Sequence, residues 1–305
     1  MAHGAKPLVV VNPVAAGGSA HRRWPLIRDL LGRHLDFDVA FSQYAGHAIE
    51  LGAEARMRGV NRVVCVGGDG TVNEVVNGAF TANSECPMPK IALIPTGTGA
   101  DFARSLGIPH RLEEACERIE TASTIRSDLG VVSYTGKDGL ETRYFVNAAG
   151  LGYDAQVVSC RNGFNRYVRG TIPYLASLAA TLLSYENKEI TVTIGGNRCT
   201  RRVNTVVLAI GRFFGGGMCI APQAELADGY FDAITIGDVG RIELIRNIPG
   251  VYRGTHLRNP RVSVERAGEV LAESSQRVLV HADGELLGEL PARFHIIPRA
   301  LDILC

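Results

Sequence analysis

Gly67-Gly68-Asp69-Gly70-Thr71 is the stretch of this chain best suited to chemistry. Three glycines in four positions make a turn that larger side chains would block, and they leave backbone N–H groups open to a ligand. Behind the turn stands Val63-Val64-Cys65-Val66, an apolar run that reads as a buried strand. Ahead of it Val72, Val75, Val76 and Ala79 recur at helical spacing. Thr71 and Glu74 fit a capping box, which predicts a helix starting at Thr71. Strand, glycine turn and helix N-terminus in that order form a seat for phosphate. The turn spells neither G-x-x-x-x-G-K-[ST] nor G-x-G-x-x-G. Its carboxylate, Asp69, repels phosphate unless a metal ion stands between them. The plainer alternative is a glycine-rich strand-to-helix turn with Asp69 as a local cap.

Two further loops of small residues come after strand patterns. Leu8-Val9-Val10-Val11 leads into Asn12-Pro13-Val14-Ala15-Ala16-Gly17-Gly18-Ser19. Ile91-Ala92-Leu93-Ile94 leads into Pro95-Thr96-Gly97-Thr98-Gly99-Ala100-Asp101. Helical spacing falls between the strands, at Leu26 to Leu31 with Pro25 clouding its start, and at Ile49 to Met57. Alternating strands and helices predict a parallel sheet, which binds ligands beyond the C-terminal ends of its strands. On that rule the loops starting at Asn12, Gly67 and Thr96 share one rim. From Arg126 the rhythm changes to short strand-like runs at 130–134, 143–148, 190–194, 205–210, 230–236, 261–264, 277–281 and 292–297, which predicts a mostly antiparallel β domain. Two helices interrupt it, one over about 171–185 after Arg161, Arg166 and Arg169, and one after Arg241. A core helix is the ordinary reading of the first, with contact to a membrane surface as the alternative.

A chain of 305 residues with 46% hydrophobic and 21% charged residues is an ordinary globular composition, sufficient for one large domain or two. The net charge of +1 argues against nucleic acid. Seven scattered cysteines with no C-x-x-C argue against a zinc site or disulfide framework, and Cys65 reads as a small buried hydrophobe. No signal-peptide pattern and no run of about 20 apolar residues is present, so the expected location is cytoplasmic, peripheral to the inner face of the membrane.

The turn together with the start of its helix, Gly67 to Gly78, resembles the signature of the diacylglycerol kinase catalytic-domain family, which includes bacterial soluble lipid kinases and the sphingosine and ceramide kinases. Four further stretches agree in order: Asn12-Pro13 with its loop, Gly97 to Arg104, Ala221-Pro222 through Ala227-Asp228-Gly229-Tyr230-Phe231-Asp232, and Asp283-Gly284-Glu285. The chain departs from the family in having Ala100 where an Asn is usual. The resemblance implies an N-terminal three-layer α/β nucleotide domain of the NAD kinase and phosphofructokinase type, over 1–127 with the tail 292–305. It implies a C-terminal mainly antiparallel β-sandwich over 128–291, with the active site in the cleft between them.

It further implies ATP surrounded by Asn12, Pro13, Val14, Ala15, Ala16, Ser42, Gly67, Gly68, Asp69, Gly70, Thr71, Val72, Asn73 and Thr98. Asp69, Asp101 and Asp128 would form the network around catalytic Mg²⁺. The carbonyls of Glu225 and Tyr230 and the side chain of Asp228 would hold a second, structural Mg²⁺, although Asp228-Gly229 alone reads as a hairpin turn. Asp283-Gly284-Glu285 resembles the segment supplying the catalytic base. A lipid hydroxyl is a poor nucleophile and needs a carboxylate to orient it and take its proton. Either acid can do so, with Glu285 slightly preferred. The expected reaction is transfer of the ATP γ-phosphoryl group to a lipid hydroxyl, with diacylglycerol the default acceptor. A sphingoid base, ceramide or phosphatidylglycerol is the first alternative; NAD phosphorylation or an inactive sensor is the next. A lipid at the membrane surface is the expected partner, and a homodimer stays open.

Overall fold

The structure is a computed structural model that describes residues 5–97, 100–163, 181–182 and 184–305. The chain divides into two compact units: Met1–Ser127 with Arg299–Cys305, and Asp128–Pro298. The predicted helix over 171–185 and the arginines before it lie largely outside the described residues.

The first unit is a parallel sheet of β1 (Leu8–Val11), β2 (Asp38–Phe41), β3 (Arg62–Gly67) and β4 (Lys90–Pro95). β1 pairs with β2 on one side and β3 on the other, and β3 pairs with β4. Side chains alternate across a strand, so each buried run feeds both faces. Val9, Val11, Val64, Val66, Ala92 and Ile94 pack with Trp24, Ile27 and Leu31 of α1 (Ala15–Gly32) and with Leu112, Cys116 and Ile119 of α5 (Leu112–Thr121). Cys65 points to the opposite face, buried as expected, and burial pushes its thiol up to about 12. α2 (His47–Met57) and α3 (Asp69–Thr81) pack against each other. Their approach is so close that a Cβ at Gly52 would overlap the Val75 carbonyl, and one at Gly78 the Ile49 carbonyl. The short α4 (Asp101–Ser105) completes the unit.

The second unit is antiparallel in every strand pair described within it. β7 (Ala148–Gly152) pairs with β9 (Asn197–Ala209) and β13 (Leu279–Ala282). β9 also pairs with β8 (Lys188–Ile194) and β10 (Phe231–Gly237), which pairs in turn with β11 (Val262–Ala267). β12 (Glu269–Glu273) joins β8 to β14 (Glu285–Leu304), and β5 (Thr124–Gly136) pairs with β6 (Gly139–Phe145). Its core includes Phe145 stacked on Phe231 at 5.6 Å, with Leu151, Ile190 and Phe294. α6 (Tyr153–Gly163) and α7 (Arg241–Tyr252) are two of its helices, and a 3-10 turn spans His256–Arg258.

Two boundaries differ from the sequence expectation for a physical reason. The run at 143–148 is broken between Phe145 and Ala148, because the Asp283 carboxylate accepts the N–H groups of Val146, Asn147 and Ala148 at 2.7, 3.0 and 3.0 Å. The tail returns to the first unit at Arg299 rather than 292, because residues 292–295 are still paired with β12. Only the last residues, Ile303 and Leu304, pair with β4.

Candidate active site

Three small-residue loops of the first unit meet at one rim, as the parallel-sheet rule requires. The Asn12 N–H donates to the Val66 carbonyl at 3.0 Å, and the Asn12 amide reaches Thr71 Oγ1 at 3.2 Å. The Thr96 N–H donates to the Gly67 carbonyl at 3.1 Å. A Cβ at Gly97 would stand 3.0 Å from the Ala16 Cβ. The loop after β1 reaches this position by three successive left-handed residues, Ala16, Gly17 and Gly18, a bend that glycine makes without strain. Pro13 and Val14 lie on the same loop, Ala15 is buried beneath it, and Ser42 is buried at the end of β2 with its N–H on the Val11 carbonyl.

The glycine turn is built to receive a ligand. α3 starts two residues earlier than the sequence predicts, with Gly68 as N-cap and no side-chain capping bond. The expected capping box does not form: the Thr71 hydroxyl is turned to Asn12, and the Glu74 carboxylate accepts the Ala48 N–H at 3.3 Å. The first-turn amides are thus left without a side-chain cap at the positive end of the helix. A Cβ at Gly68 or Gly70 would meet nothing within 4 Å, so their lack of side chains leaves open space over the amides. Val72 and Asn73, by contrast, are buried, with Asn73 bonded to Asn77 across one helical turn.

Asp69 is half-buried, and its carboxylate accepts the N–H groups of Asp101 at 2.8 Å and Phe102 at 3.3 Å. Ala100, the N-cap of α4, offers no side-chain acceptor, and Asp69 does that work from another loop. Asp101 itself is buried and ion-paired with Arg104 at 2.8 Å. Thr98 lies outside the described residues.

Asp128, Asp228, Asp283 and Glu285 belong to the second unit. Asp128 is fully buried, accepts the Gly229 N–H at 2.7 Å and donates its own N–H to the Leu226 carbonyl. It thereby ties down the loop carrying Asp228. Asp228 is ion-paired with Arg266 and accepts the Tyr230 N–H at 2.9 Å; the Arg266 guanidinium lies 5.5 Å from the Tyr230 ring centre. Glu225 is exposed, and the neighbouring Asp232 carboxyl is raised by burial and then by Glu225. In this loop the Arg266 guanidinium supplies the positive charge beside Asp228. Asp283, at φ 46°, holds three backbone N–H groups, whereas Glu285 is half-exposed and ion-paired with Arg143 at 2.7 Å. Among the described residues no three His, Cys, Asp or Glu side chains group into a metal cage. Mg²⁺ does not require one: it binds through one or two carboxylates and keeps water and phosphate oxygens as its other ligands. Asp69 at the phosphate rim fits that pattern.

Sequence reasoning misses Arg143, Arg104 and Arg266, since nothing in their sequence neighbourhood marks which carboxylate each will meet.

Residues 6–132 match the diacylglycerol kinase catalytic domain, and residues 147–305 match the YegS C-terminal NAD kinase beta sandwich-like domain. A diacylglycerol kinase of Staphylococcus aureus is 30% identical over 241 residues, 79% of this chain and 73% of that one. A diacylglycerol kinase of Mycobacterium tuberculosis is 28% identical over 302 residues, 98% of this chain and 94% of that one. The crystal structure of a diacylglycerol kinase from Bacillus anthracis shares the fold with a TM-score of 0.73 at 20% identity, covering 100% of this chain and 98% of that one. The loops that meet at the rim lie within the first match and the Asp283–Glu285 segment within the second, so the chain belongs to the diacylglycerol kinase family.

Proposed function

We propose that the protein transfers the γ-phosphoryl group of ATP to the free hydroxyl of diacylglycerol, giving phosphatidic acid, from the cytoplasmic side of a membrane surface. The observation that carries this is the convergence of the Asn12, Gly67 and Thr96 loops around uncapped helix amides, with Asp69 beside them. Gly68 and Gly70 let the triphosphate approach the backbone N–H groups, while Asn12 to Ala16 and Ser42 flank the nucleotide. Val72 and Asn73 support the turn from the buried side. Asp69 would hold Mg²⁺, which would supply positive charge against the transferred group. Glu285, oriented by Arg143, accepts the proton of the lipid hydroxyl as its oxygen bonds to the γ-phosphorus and the bond to the ADP oxygen breaks. Asp283 serves by shaping the segment that carries Glu285, its oxygens being engaged by three amides. Most of the rate comes from position and charge, since no covalent bond to the protein is made.

The test is γ-labelled ATP with Mg²⁺ against a panel of diacylglycerol, sphingosine, ceramide, phosphatidylglycerol and NAD. Label in phosphatidic acid is expected. Label in another product reassigns the acceptor, and label in none refutes the proposal.

A further inference from the structure

Residues 241–261 carry five arginines and a single acidic residue, Glu243, in a chain whose net charge is only +1. This segment contains α7, and α7 is unusual: none of its residues is buried although much of it is apolar. One face, Leu244, Ile248 and Val251, roofs an apolar cavity of about 320 Å³ within the second unit, floored by residues such as Val207 and Ile236. The other face shows Ile242, 69% exposed, with Tyr252 at 37%; Ile245, 52% exposed, lies between the two faces and also borders the cavity. Positions 242, 245, 249 and 252 recur at helical spacing, so the exposed residues form one stripe with Pro249 inside it. Exposed Arg241 flanks this stripe on one side and exposed Arg246 and Arg253 on the other. Among the described residues, Arg241, Arg246, Arg253 and Arg258 make no side-chain hydrogen bond or ion pair, in contrast to Arg261, which reaches Glu243 and the Asp238 carbonyl.

A helix that is apolar outward as well as inward, edged by arginines with no partner among the described residues, is matched by a surface that is itself apolar beneath an anionic skin. We infer that α7 is the element that seats this protein on an anionic bilayer, its Ile242 stripe entering the headgroup boundary and its arginines meeting lipid phosphates. The inference rests on the membrane-surface part of the proposed function and assigns it to one helix. The cavity under the same helix places apolar volume directly behind the docking face. An acidic protein or a second copy of this chain is a poorer fit, since neither calls for apolar volume behind the helix.

The experiment is flotation of the full chain with vesicles of phosphatidylcholine alone and of phosphatidylcholine containing phosphatidylglycerol, for wild type and for the triple variant Ile242→Ser, Arg246→Glu, Arg253→Glu. All three residues are exposed and outside the catalytic machinery, so the variant's circular dichroism and melting temperature should match wild type. Wild type should float with the anionic vesicles and lose binding as salt is raised, and the variant's partition should fall by roughly tenfold or more. Equal flotation of both proteins overturns the inference but leaves membrane association standing. No flotation of wild type removes both. A change in oligomeric state of the variant without lipid means that a second copy covers the stripe, which also overturns it.

Discussion

The Asp69 carboxylate grips the backbone N–H groups of Asp101 and Phe102, so the residue expected to handle metal also joins two of the three rim loops. Its two duties can be separated. Asp69→Ala should lose both ties, costing about 2 kcal/mol of stability, and also lose turnover. Asp69→Asn keeps one acceptor oxygen but turns an NH2 donor toward the other amide, so it should lose about 1 kcal/mol, about half the alanine cost, while turnover drops about 10³-fold. Paired melting curves and labelled-ATP assays check this; an active Asp69→Asn would reduce Asp69 to a cap.

Gly70 and Gly78 lie in one helix but serve different ends. A side chain at Gly70 meets only open space, whereas one at Gly78 collides with the Ile49 backbone. Gly70→Ala should hold or raise stability by a few tenths of a kcal/mol to about 1 kcal/mol, yet raise KM for ATP. Gly78→Ala should cost about 1–3 kcal/mol and leave KM for ATP unchanged in the protein that folds. Thermal melts with steady-state kinetics distinguish them.

Asp283 and Glu285 differ in the same manner. Removing the Asp283 carboxylate leaves three backbone donors without their acceptor, so Asp283→Ala should lose about 2–4 kcal/mol along with activity. Glu285 is half-exposed and paired with Arg143, so Glu285→Gln should abolish turnover and melt like wild type. A stable, inactive Asp283→Ala would transfer the role of base to Asp283.

Arg266 supplies the cation at the loop carrying Asp228. EDTA should therefore stop turnover without shifting the melting temperature of wild type. Arg266→Ala should cost about 1–2 kcal/mol. A loss of wild-type melting temperature in EDTA would show that a metal supports the fold.

Burial of His256, at the edge of the α7 cavity, pushes its pKa below the ordinary 6.5. The unfolded chain therefore takes up this proton first as pH falls. The stability tied to this histidine is complete above about pH 6.5 and is lost as pH drops from there through the folded value. Melting temperature against pH should slope less steeply on the acid side for His256→Gln than for wild type.

The order of elements is legible in the chain because it is written in local patterns. Buried strands are continuous apolar runs, helices repeat near every fourth residue, and turns need glycine, so Val63 to Ala79 disclose a strand, a turn and a helix. The parallel-sheet rule then places the Asn12, Gly67 and Thr96 loops on one rim, as observed. Local pattern fails where a group's partner is remote. Thr71 and Glu74 have the spacing of a capping box, but Asn12 and the Ala48 amide take their side chains. Asp228-Gly229 has the look of a turn or a metal loop until Arg266 arrives from β11, and the 143–148 run looks continuous until Asp283 breaks it from more than 130 residues away. The chain by itself determined which residues are capable of chemistry and which elements carry them. Tertiary structure alone decided which donor each carboxylate satisfies, because a buried charge takes whichever partner the completed fold brings within about 3 Å.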